Sequence, residues 1–102
     1  MKKLMISKKD LIDYELVFHA LSHVSRRHIL IWLTQNNGPM LGGEIADLLS
    51  CSWPTTTEHL QNLVKAGLVT VQKQGRKKIY RINKNRFNII EKWMSKLGIE
   101  SM

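Results

Sequence analysis

Two stretches of this sequence hold residues able to do chemistry. In "SWPTTTEH", Ser52, Trp53, Thr55, Thr57, Glu58 and His59 crowd together, and their hydroxyl, carboxylate and imidazole groups can bond phosphate oxygens or base edges. Short threonines also allow close approach and offer a methyl group to thymine. The second stretch is basic. From Thr70 to Ile90 stand Lys73, Arg76, Lys77, Lys78, Arg81, Lys84 and Arg86, with no acidic residue among them. A one-sign block of this kind suits a polyanion. Scattered lysines would be read as a solvated face, but the first four of these gather at one glycine-centred turn.

Other chemistry is poorly supplied. There is no paired-carboxylate site, no Gly-rich phosphate loop and no plausible Ser-His-Asp arrangement among four histidines, so an enzyme is not expected. His19 and His23 have ligand spacing on a continuous helix, yet "LSH" is expected to end that helix between them. They would also need a third ligand, from His28 or a partner subunit, so a satisfied or solvated pair is expected instead. The single cysteine, Cys51, excludes an internal disulfide and a multi-cysteine cluster, which fits a reducing compartment. Without a resolving cysteine it reads as a small hydrophobe in a turn. Neither cofactor nor metal is expected.

The elements that position these residues follow from periodicity. Leu11, Ile12, Tyr14, Leu16, Val17, Phe18, Ala20 and Leu21 predict a first helix over about 10–21, with Asp10 as its N-cap. Ser25 is expected to cap a second helix carrying Ile29, Leu30, Trp32 and Leu33, stopped by Gly38 and Pro39. "GEIADLLS" reads as a short third helix with Ile45, Ala46, Leu48 and Leu49 inward. A fourth starts after Ser52, with Pro54 in its first turn, Thr56, Leu60 and Leu63 inward, and Gly67 as a left-handed cap. "LVTVQK" and "KIYRI" around "QGR" predict a hairpin. A last helix follows over about 85–97, with Phe87, Ile90, Trp93, Met94 and Leu97 on one stripe. The expected fold is mainly α, in the order α-α-α-α-β-β-α. The helix-turn-helix lies at about 43–66 and its wing at about 68–83.

At 102 residues and 43% hydrophobic content, residues 1–102 are expected to form one domain with a modest core. No apolar run approaches the roughly 20 residues of a membrane span, and the Lys-rich start leads into Asp10, Asp13 and Glu15 rather than an h-region. A soluble, cytoplasmic protein is expected, with no membrane partner. Its net charge of +8 agrees with a nucleic-acid partner.

"VFHALSHVSRRHIL" and "GGEIADLLSCSWPTTTEHLQNLVKAGLVTVQKQGRKKIYRIN" resemble the ArsR/SmtB family of bacterial winged-helix repressors, over about residues 14–83. The resemblance implies a homodimeric DNA-binding transcriptional regulator, released by a ligand and dimerising through its first and last helices. It places the reading positions on Trp53, Thr55, Thr57, Glu58 and His59, beside the cap Ser52, and the wing contacts on Lys73, Arg76, Lys77 and Lys78. Arg26 and Arg27 match the family's basic pair, one expected to bond within the domain. Trp53 is bulkier than the residue expected after the cap, and Glu58 replaces a position often basic or His. Both familiar metal sites are missing: Leu41-Gly42-Gly43 stands where a cysteine pair would be, and the last helix has no histidine.

The expected function is therefore a non-metal-sensing, homodimeric regulator, a repressor by family habit, on an inverted-repeat operator in double-stranded DNA. Its effector is not legible. The alternative is a winged-helix module that binds RNA or a protein.

Overall fold

The computed structural model describes residues 6–99. The first five residues of the Lys-rich start lie outside them.

Helix α1 runs Lys8–Leu21 and is capped by Ser7, whose Oγ accepts the Asp10 N–H at 3.1 Å. Asp10 is thus a first-turn residue rather than the cap. Tyr14, Val17 and Ala20 are buried at helical spacing. Helix α2 is Val24–Gln35, and its cap is His23, not Ser25: the His23 Nδ1 accepts the Ser25 N–H at 3.1 Å. The helix buries Ile29, Leu30 and Leu33 and ends before Asn37, which takes a left-handed φ of 56°.

A two-residue strand β1, Met40–Leu41, precedes α3 at Gly42–Leu49. Helix α4 spans Trp53–Lys65, and the wing consists of β2, Val69–Gln74, and β3, Lys77–Ile82. A 3₁₀ turn at Lys84–Phe87 leads into α5, Asn88–Lys96. The sheet has three antiparallel strands in the order β1-β3-β2, with Met40 opposite Tyr80 and Val71 also opposite Tyr80. Strand β1 is an addition to the two-stranded hairpin expected from sequence.

The core joins α1, α2, α3 and α4 to one end of the sheet, with Val17, Ile29, Ile45, Leu60, Leu63 and Leu68 essentially inaccessible. Each such aliphatic side chain stabilises the fold by about 1.5–3 kcal/mol through burial. Leu48 faces solvent instead of the core, while Ala46 and Leu49 are half-buried. On α5 the monomer core takes Ile89, and Trp93 and Leu97 of the expected stripe remain exposed. Trp93 does pack edge-on against Phe18 of α1, with centroids 4.9 Å apart.

Helix α4 ends in a Schellman arrangement: the Gly67 N–H donates to the Val64 carbonyl and the Leu68 N–H to that of Leu63. Gly67 has φ 79°, and a Cβ there would stand 3.0 Å from Arg86 Nε. Two helices joined by a short turn and followed by a β-hairpin make a winged helix-turn-helix.

Candidate nucleic-acid interface

The turn between α3 and α4 is Ser50-Cys51-Ser52. Ser50 closes α3 with φ 54°, and Cys51 Sγ lies 3.6 Å from the Leu49 carbonyl, half-buried. Ser52 caps α4: its Oγ accepts the Thr55 N–H at 3.3 Å and donates to Thr55 Oγ1 at 3.0 Å. Thr56 is fully buried and donates to the Ser52 carbonyl at 3.0 Å. Weak helix formers are thereby held at the start of α4 by side-chain hydrogen bonds and one buried anchor. Thr55, Glu58 and Gln61 face solvent, with Thr57 half-buried between them.

Two of the sequence-selected residues behave differently from the rest. His59 is buried at 7% exposure, so its ring does not stand on the solvent face. Its Nδ1 accepts the Arg26 Nε–H at 3.2 Å, and its ring lies 4.4 Å from that of His23. Burial, with His23 and Arg26 close by, holds His59 below the ordinary imidazole value. Arg26 also donates to the His19 carbonyl at 3.1 Å, so it is the member of the basic pair that bonds within the domain. Arg27 is exposed and donates to the Leu21 carbonyl.

Trp53 is half exposed, but its ring edge rests on the start of α3. A Cβ on Gly42 would come within 2.7 Å of Trp53 Cη2 and 3.3 Å of Tyr80 Cε2, so only glycine admits this packing. The indole thus forms a fixed wall beside the α4 tip.

The basic block divides three ways. Lys73, Arg76, Lys77 and Lys78 sit at the wing tip, exposed, and their side chains make no hydrogen bond or ion pair among the described residues. Lys73 stands directly across the ladder from Lys78, a like-charge pair that costs stability. Arg81 and Lys84 lie apart, lining a shallow cleft with Leu33, Asn37 and Pro39. Arg86 is spent internally, donating to the Ala66 carbonyl at 2.9 Å and to Asp13 Oδ1 at 3.0 Å. Wing and α4 share a surface, because Trp53 and Thr57 line the same cleft as Arg76, Lys77 and Lys78. Gly42 and Tyr80 complete that cleft. Sequence reading did not select them, although two glycines at a helix start signal close approach.

Among the described residues, no group of three or more His, Cys, Asp or Glu side chains could hold a metal ion. No helix among them is long and apolar enough to cross a membrane.

The sequence model of the family described as "Bacterial regulatory protein, arsR family" matches residues 23–71, from the α2 cap into β2. No curated protein sequence matches. Among solved structures, the ArsR family transcriptional regulator RHA00566 has a TM-score of 0.79 at 26% identity, covering 93% of both chains. An ArsR-like transcriptional regulator from Rhodococcus sp. RHA1 has a TM-score of 0.72 at 28% identity, over 86% of this chain and 81% of that one. A homodimeric winged helix-turn-helix DNA-binding domain from Mycobacterium bovis, a possible ArsR-family transcriptional regulator, has a TM-score of 0.69 at 25% identity. The match covers 96% of this chain and 91% of that one.

Proposed function

We propose that the chain is a member of the arsR family of bacterial regulatory proteins, whose sequence model matches residues 23–71, and that it is a cytoplasmic, homodimeric repressor that binds an inverted-repeat operator. The observation that carries this reading is the shared surface of the α4 tip and the wing, where hydroxyls and unpaired cations stand together. Thr55, Thr57 and Glu58 read base edges from the N-terminal half of α4, and Trp53 fixes the edge of that surface. Ser52 offers backbone and hydroxyl near a phosphate. Lys73, Arg76, Lys77 and Lys78 hold phosphates from the wing. His59 is left out of the reading set because its ring is committed to Arg26.

Dimerisation uses the outer faces of α1 and α5, where Leu11, Ile12, Trp93 and Leu97 are exposed. Twofold symmetry then places two α4 helices about 34 Å apart, or a multiple of that, on an inverted repeat. Control of the repressor does not depend on the family's familiar metal sites: Leu41, Gly42 and Gly43 stand at the cysteine-pair site, and the last helix has no histidine.

The test selects bound fragments from genomic DNA and measures their affinity by fluorescence anisotropy, with sedimentation of the free protein alongside. A dimer that retains inverted-repeat duplexes supports the reading. A monomer at micromolar concentration, or a structured RNA that displaces the duplex at equal concentration, would overturn it.

A further inference from the structure

The cleft between the start of α3, the tip of α4 and the wing has a volume of about 470 Å³. Cavities of roughly 300–1,000 Å³ with apolar walls and a few placed polar groups are the size that holds small molecules. Its walls are Gly42, Trp53, Thr57 and Tyr80, so two aromatic rings meet across bare backbone. Arg76, Lys77 and Lys78 line its wing side, and no carboxylate pairs with them among the described residues. The acidic lining residue, Glu44, already accepts the Leu41 N–H at 2.9 Å. Thr57 Oγ1 is shielded from solvent and has no hydrogen-bond partner, an unusual state for a buried hydroxyl.

We propose that this cleft is a binding site for a small planar aromatic anion, with its ring against the Trp53 indole and the edge of Tyr80 and its carboxylate toward the Lys77 and Lys78 ammonium groups. Charge complementarity selects the anion, and the two rings select a flat body. Rotation about the Thr57 Cα–Cβ bond brings its hydroxyl to the ligand and ends its isolation. The site lies between wing and α4, where DNA must pass, so an occupied cleft excludes the operator. This last step rests on the DNA-binding reading above; ligand binding itself does not.

The experiment titrates the ¹⁵N-labelled full chain with 2-naphthoate, its neutral analogue 2-naphthamide and the non-aromatic cyclohexanecarboxylate. Trp53→Phe assigns the Trp53 indole signal. Naphthoate is expected to shift that signal, leave those of Trp32 and Trp93 in place, and bind about tenfold more tightly than either control. Gly42→Ala pushes the Trp53 wall aside and is expected to weaken binding by about tenfold, with signal dispersion reporting whether the variant folds. Lys78→Gln, a surface change, is expected to weaken it severalfold without touching the walls. Equal binding of the amide, shifts centred on Trp32 or Trp93, or affinity unchanged in both variants would overturn the site. Naphthoate is then added to a bound duplex. Release supports exclusion, and retention at saturating ligand overturns it. If the chain binds no duplex at all, the DNA-binding reading falls while the spectra still decide the site.

Discussion

Basic side chains meet opposite fates at the two ends of this molecule. Along the seam of α1, the 3₁₀ turn and α5 they are paired: Lys9 and Arg86 both bond Asp13, and Lys92 bonds Asp10 at 2.7 Å. These contacts hold both aspartates below the ordinary carboxylate value, through Lys9 and then Arg86 at Asp13, and through Lys92 at Asp10. At the wing the same residue types face water, and two of them oppose each other across the ladder. Folding alone would favour pairing in both places. On the proposed reading the wing's unpaired charge serves a partner, whereas the seam's charge belongs to the fold.

The largest effect expected on this contrast comes from Arg86→Ala. Arg86 ties α1 to the carbonyl that ends α4, and it packs against the space above Gly67. Loss of these charge-assisted bonds should lower stability by about 2 kcal/mol in urea unfolding. Arg86→Lys should recover little, because one ammonium cannot reproduce the guanidinium fork. A variant with unchanged stability but a shallower salt dependence of DNA binding would move Arg86 to the interface and break the contrast.

Lys77→Ala with Lys78→Ala should do the reverse. The salt slope of DNA affinity is expected to fall by about four units for the dimer, two from each protomer, with affinity at physiological salt down at least roughly tenfold. Stability should hold or rise slightly, since the repulsion between Lys73 and Lys78 is relieved. Anisotropy across a salt series reads the first quantity and urea unfolding the second. An untouched slope would mean that the wing does not meet phosphate.

A smaller and more selective effect is expected from Thr57→Ala. Affinity for unrelated duplexes should stay the same, while discrimination among operator variants changes by about 1 kcal/mol at one base pair. Competition among single-substituted duplexes checks this. Uniform weakening across all of them would place Thr57 with the phosphate contacts.

Much of this architecture was legible because apolar periodicity is local. The helices, the cap Ser52, the Gly67 terminator and the hairpin all declared themselves within a few residues of their own positions. What escaped depended on distant partners. Strand β1 is two residues long and exists because Met40 and Leu41 pair with Tyr80 and Ile79, nearly forty residues on. Arg86 reads as one more cation until Asp13, 73 residues away, is brought beside it. Ser7 and Asp10 are both good caps, and where the chain enters α1 chose between them. His59 was readable in principle, since Thr56, His59, Leu60 and Leu63 form one stripe at spacings of three, four and seven. The resemblance to DNA-reading helices drew it outward, against its own periodicity.

His59 provides the finest test of that stripe, because it lies on α4 yet belongs to the fold. Burial first, and then the positive charge of His23 and Arg26, favour the neutral ring in the folded protein, where its Nδ1 accepts from Arg26. Glu58 opposes this only weakly, as the last of the contributing causes. Above the ordinary imidazole value of about 6.5 the ring is neutral in both states, and its titration contributes nothing to the pH dependence. As pH falls through 6.5 the unfolded chain takes up a proton that the folded one resists, so stability declines. The decline stops once pH passes below the lowered folded value. His59→Asn keeps an acceptor near Nδ1 but cannot titrate, so its stability should vary less with pH in this window. The urea midpoint, followed from pH 7.5 to pH 5, measures it. An identical slope in wild type and variant would detach His59 from the acid response, and would return its ring to the candidates for contact with DNA.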